Sequence, residues 1–142
     1  MATVNLDLVF NGNCKEAFDF YKSVFGGEYS YFGKYKDMPT YDSTKIPVED
    51  AEKIMHISLP ISKETSLMGN DHIEYFGRNT VFGNNFSLSI NTESKEEADR
   101  LYNSLSAGGD LVMPMGDTFW DAYFGMLTDK FGVNWMVSFE HN

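Results

Sequence analysis

A chain of 142 residues with 42% apolar and 23% charged side chains is long enough to bury a core and too apolar to remain disordered. Its net charge of -10 repels phosphate backbones and anionic bilayers, and no stretch has bilayer-spanning apolar length, so nucleic acid and membrane are not expected partners. The one cysteine, Cys14, rules out an intrachain disulfide, and Asn5, Asp7, Asn11, Lys15 and Glu16 interrupt any signal-peptide core, so a reducing cytoplasm is the expected compartment.

In chain order, Leu6, Leu8 and Phe10 alternate with Asn5, Asp7 and Val9, which predicts a half-buried strand. Asn11-Gly12-Asn13 then turns the chain, with Asn13 and Glu16 at capping-box spacing. Ala17, Phe18, Tyr21, Val24 and Phe25 follow at helical spacing, and Gly26-Gly27 ends the helix. Three strands are predicted next, over 28–36, 54–61 and 66–70. The polar segment 37–53, with Pro39 and Pro47, is long for a structureless connection and reads as a candidate lid or binding loop.

The second half repeats this order. A strand is predicted over 85–90, with Phe86, Leu88 and Ile90 on one face. Ser94 and Glu97 form a capping box, Ala98, Leu101, Tyr102 and Leu105 carry the helical stripe, and Gly108-Gly109 ends it. Strands are expected over 111–115, 122–128 and 133–139. Glu16-Ala17 and Tyr21-Lys22-Ser23 match Glu97-Ala98 and Tyr102-Asn103-Ser104 at a constant offset, so the chain holds an internal repeat. The predicted class is α+β: one domain over 1–142, with module one at about 1–71, a linker at about 72–84 and module two at about 85–142.

Several motifs carry a family resemblance over essentially the whole chain. The run from Asn11 to Glu28, the segment Leu67-Met68-Gly69-Asn70-Asp71, and the C-terminal Asp117-Thr118-Phe119-Trp120 and Asp129-Lys130-Phe131-Gly132-Val133-Asn134-Trp135 resemble the PhnB-like family. That family belongs to the glyoxalase/bleomycin-resistance/dioxygenase superfamily, also called vicinal oxygen chelate. The resemblance implies two tandem βαβββ modules whose mixed sheet curls around a half-barrel cleft, with helices on the outer face. It also implies a homodimer, and in the enzymes of the superfamily a divalent metal held by His, Gln or Glu.

Carried onto this chain, the four ligand positions fall on Asp7, Met68, Asn85 (Ser87 if the register shifts by two) and Met136. Thioethers are poor ligands for a hard cation, and three strong donors are the normal minimum. The expectation is therefore no metal cofactor, with a divalent metal as the alternative. In Ile54-Met55-His56-Ile57-Ser58-Leu59, alternation turns His56 and Ser58 away from the helix, as it does Asp7. His56 is either a general base or ligand contact, with Asp7 as its companion, or a histidine satisfied by a neighbour. Trp120 is either a stacking platform or part of a barrel cap or interface. Cys14, in the first helical turn, is either an activated thiol or an unremarkable one.

No GxxxxGK[ST] or GxGxxG element, GxSxG elbow or HExxH helix is present. Two functions remain. One is a binding protein for a small, partly apolar molecule, using Asp7, His56, Ser58, Met68, Asn85, Ser87, Trp120 and Met136. The other is a metal-dependent lyase or oxidoreductase of the vicinal oxygen chelate type.

Overall fold

The computed structural model describes residues 2, 4–77 and 79–141. The chain divides into two compact units, Met1–Val81 and Phe82–Asn142, with the boundary inside the expected linker. The first unit runs β1 (Leu6–Phe10), α1 (Cys14–Phe25), β2 (Tyr31–Lys34), α2 (Val48–Ala51), β3 (Ile54–Pro60) and β4 (Ser66–Asp71). The second runs β5 (Leu88–Asn91), α3 (Lys95–Ser106), β6 (Asp110–Asp117), β7 (Ala122–Thr128) and β8 (Asn134–Glu140).

Each unit carries one open four-stranded sheet, ordered β1-β4-β3-β2 in the first and β5-β8-β7-β6 in the second. The pairs β1/β4 and β5/β8 are parallel and the rest antiparallel, so the repeat read from the helices extends to the strand topology. Leu8 and Phe10 of β1, and Ile57 and Leu59 of β3, are buried together with Ala17, Phe18, Tyr21 and Val24 of α1. The Phe18 ring meets Phe10 edge-on at 6.2 Å and Tyr21 at 5.6 Å. A Cβ on Gly69 of β4 would lie 2.6 Å from Phe18, so the strand approaches the helix as closely as glycine permits. In the second unit Ala98, Leu101, Tyr102 and Leu105 of α3 are buried with Leu88, Trp135 and Val137.

The two helices begin differently. In α3 the Ser94 hydroxyl accepts the Glu97 amide at 3.1 Å, and the Glu97 carboxylate accepts the amide of Glu93, one residue before the cap. In α1 the expected Asn13 cap makes no side-chain cap bond. Its place is taken from a distance by buried Asp71. Oδ1 of Asp71 accepts the amides of Gly12 at 3.0 Å and Cys14 at 2.9 Å, and Oδ2 accepts the Ile54 amide at 2.9 Å.

Three expectations need correction. The strand predicted over 28–36 is only Tyr31–Lys34, because the ladder bulges after Gly33 and Tyr35 turns inward. Tyr35 packs there with Ile46 and Ile73, and its hydroxyl donates to the Asp71 carbonyl at 2.6 Å. That packing, with Met38, Tyr41 and Met55 around it, and the short helix α2 make segment 37–53 an anchored connection rather than a free loop. The strand predicted over 85–90 begins only at Leu88, so Asn85, Phe86 and Ser87 precede it. Asn134 donates to the Gly83 and Phe86 carbonyls, tying down this approach without extending the ladder.

Candidate binding face

In β1, β3 and β4, one set of alternate side chains packs against α1 and the other faces away from it. The register assembles the second set into a row across the sheet. Asp7 of β1 pairs with Met68 of β4, Met68 with Ser58 of β3, and Ser58 with Tyr31 of β2. His56 stands beside this row, opposite Gly33, with its ring 5.5 Å from that of Tyr31 at an interplanar angle of 43°. Of the residues expected in the site, Asp7, His56, Ser58 and Met68 thus share one face of one sheet. Tyr31 and Gly33 complete it, and sequence reasoning did not single them out.

Asp7 is exposed, yet the loss of surrounding water raises its carboxyl above the ordinary carboxylate range, an effect that His56 offsets in part. The sign of the resulting linkage follows. A raised native pKa means that ionisation opposes folding, so Asp7 favours the native state below the unfolded value of about 3.9 and loses that advantage as pH rises through the native value. Asp7→Asn, permanently neutral, is therefore expected to match the parent near pH 3 and to unfold at a slightly higher temperature at pH 7. Solvent screening at this exposed site keeps the difference small. Melting curves at pH 3, 5 and 7 test this, and a variant less stable than the parent at pH 7 contradicts it.

Cys14 is not an activated thiol. It is fully buried, and burial, followed by the carboxylates of Asp71 and Asp7, pushes its pKa far up.

In the second unit the corresponding row is Ser89 of β5, Met136 of β8 and Met126 of β7. Ser89 therefore holds the strand position expected for Asn85 or Ser87, both of which lie ahead of β5. Trp120 sits in the β6–β7 turn, 53% exposed, and meets Phe119 edge-on at 5.0 Å and Phe124 at 5.7 Å. The same turn holds Asp121 at φ 65°. Phe124 pairs with Ser138, on the side away from α3, so Trp120 borders the second unit's own open face.

Among the described residues, no group of three or more His, Cys, Asp or Glu side chains is placed to hold a metal ion. The chemistry of the two rows agrees. A carboxylate beside a thioether in one unit, and a hydroxyl at the end of a row of two thioethers in the other, do not suit a divalent catalytic ion.

A concavity of about 480 Å³ lies elsewhere on the first unit, bordered by Gly12, Lys15, Phe32, Lys34, Glu52 and Lys53. Its cations are already paired: Lys15 with Asp19 at 2.7 Å, Lys34 with Glu52 at 2.8 Å and Lys53 with Asp50 at 2.8 Å. Hydrogen bonds from Lys34 and Lys36 bring Glu52 down to about 2, so it stays ionised. The polar groups of this hollow answer one another, and it is the weaker candidate.

Two open mixed sheets, each with strand order and helix placement repeated, define the glyoxalase/bleomycin resistance/dioxygenase fold. A domain of that superfamily from Frankia sp. EAN1pec superposes with a TM-score of 0.69 at 13% identity, covering 100% of this chain and 93% of that one. Within that fold the chain belongs to the PhnB-like family, whose model, described as 3-demethylubiquinone-9 3-methyltransferase, matches residues 2–138. It is 30% identical to Protein YjdN of Escherichia coli (strain K12), covering 92% of this chain and 90% of that protein. The crystal structure of PA1353 from Pseudomonas aeruginosa is similar at 38% identity and a TM-score of 0.78, covering 97% and 98% of the two chains. A PhnB protein from Bacillus cereus is similar at 26% identity and a TM-score of 0.75, covering 97% and 99%.

Proposed function

We propose that this protein binds a small, partly apolar molecule on the open face of its first unit, without a metal ion. The observation that carries the reading is the row Asp7–Met68–Ser58–Tyr31 with His56 beside it. It combines an acid, a thioether, a hydroxyl and two rings on a sheet face turned away from its helix. A few polar anchors among apolar contacts are the usual make-up of a small-molecule site. His56 serves as a hydrogen-bonding contact to the ligand, so His56→Ala is expected to weaken binding about tenfold while leaving the fold intact. A fragment library screened by amide chemical shifts tests this. Hits that leave residues 56–58 unperturbed, or that bind His56→Ala equally well, would count against it.

The alternative is a divalent-metal lyase or oxidoreductase, and the donor chemistry of the two rows argues against it. Elemental analysis finding close to one zinc, nickel or iron per chain, lost in Asp7→Ala, would favour that alternative. Methyl transfer from a nucleotide-type cofactor is disfavoured as well. The turn between β1 and α1 has a single glycine, and its Gly12 and Cys14 amides are already taken by Asp71.

The reading extends to a cytoplasmic homodimer. No helix among the described residues is long and apolar enough to cross a membrane, and the single thiol suits a reducing compartment. On the second unit Leu111, Val112, Met113, Phe119 and Trp120 are all exposed, which favours coverage by a second copy. Light scattering is expected to give twice the chain mass at micromolar concentration; the mass of a single chain would overturn the dimer.

A further inference from the structure

Gly33 lies inside β2, just before the ladder bulges, with its φ outside the left-handed region. Glycine weakens a strand interior, since it adds conformational entropy to the unfolded chain and contributes no side chain to packing. No left-handed φ calls for glycine here, and what its missing side chain supplies is space. A Cβ at this position would lie 2.8 Å from the Tyr31 hydroxyl, 3.0 Å from its Cε1 and 3.2 Å from its Cζ. Tyr31 and Gly33 are two apart on one strand and share a face. The phenol ring therefore lies along its own strand, over the glycine. His56 pairs with Gly33 on the neighbouring strand, which is why the Tyr31 and His56 rings stand 5.5 Å apart.

We infer that Gly33 is a positioning residue: its missing side chain lets Tyr31 lie along its strand beside His56, and the two rings, inclined at 43°, form a platform for a flat, conjugated ring in the ligand. This rests on the reading of the open face given above and narrows the ligand class within it. Flatness matters physically. A planar ring gains offset or edge contacts with both aromatic faces, about 0.5–1.5 kcal/mol beyond simple burial, whereas a puckered ring gains burial alone. Tyr31 is 48% exposed, so a ligand has access to it. With a methyl group at position 33, the far end of the flexible Tyr31 side chain gives way rather than the sheet. The platform is then lost while the fold survives.

The test uses two probes of one skeleton, flat 2-naphthol and its saturated counterpart decahydro-2-naphthol, titrated into the full chain and followed by amide chemical shifts. The parent is expected to bind 2-naphthol about fivefold more tightly than the saturated probe, with shifts over 31–33 and 56–58. Gly33→Ala is expected to remove that preference while the melting temperature stays nearly unchanged. Adding Tyr31→Phe to Gly33→Ala removes the atom nearest the new methyl and is expected to restore part of the preference. A strand glycine with no positioning role would show no such rescue. Equal binding of the two probes to the parent, or a preference that survives Gly33→Ala, overturns the inference and leaves the binding face standing. If neither probe moves the amides of this face, the binding face falls, and the inference with it.

Discussion

Asp71→Ala is expected to cost about 3–5 kcal/mol of stability, the largest effect of any single polar substitution in the first unit. The carboxylate is 1% exposed and accepts three backbone amides, from Gly12, Cys14 and Ile54. Hydrogen bonds to a charged group contribute more than neutral ones, and truncation would leave buried amides without an acceptor. The same change would free the first turn of α1 from the end of β4 and the start of β3 together. Asp71→Asn keeps the shape but replaces one acceptor oxygen with a donor, so it should lose roughly half as much. Urea unfolding followed by circular dichroism measures both. An Asp71→Ala midpoint within experimental error of the parent would show that water replaces the carboxylate without loss.

Gly109→Ala is expected to be the most damaging small substitution in the second unit, at about 3 kcal/mol. A Cβ there would lie 2.2 Å from the Thr128 carbonyl oxygen and 2.8 Å from the Asp129 carbonyl carbon. Both are backbone atoms of the neighbouring strand and turn, so no rotamer change relieves the clash. Gly116→Ala, on the strand β6 that begins just after Gly109, is an internal control, since a Cβ at that position meets nothing within 4 Å. It should be neutral or slightly stabilising through the unfolded chain. Thermal melts of the two variants side by side decide the matter, and equal effects would contradict the packing argument.

The fold was legible because its signals are local and occur twice. The stripes of α1 and α3 lie at helical spacing, and all four predicted members of the second, Ala98, Leu101, Tyr102 and Leu105, are buried. Leu8 and Phe10 face inward, which fixes Asp7 on the opposite face by strand period alone. What sequence could not supply was register. The third ligand position was placed on Asn85 or Ser87, whereas Ser89 stands opposite Met136, because nothing local marks where a parallel strand begins to pair. Tyr31 entered the face for a related reason: its place depends on pairing with Ser58, far along the chain. Asp71 and Gly33 were passed over because each acts on distant or same-strand neighbours that composition does not reveal. The available hints were a lone acid closing a strand and a glycine following two aromatics.

The contrast between the two helix starts has a kinetic consequence. Ser94 and Glu97 close the first turn of α3 within a few residues, so that helix can nucleate on the timescale of local chain closure. The amides opening α1 wait for Asp71, 57 and 59 residues further along, and so for β4 to arrive beside β1. Closing that longer loop puts its entropic cost ahead of any reward from the cap. The repeat thus duplicates an architecture but not a folding order: the second copy carries its own nucleus, and the first is completed by its last strand.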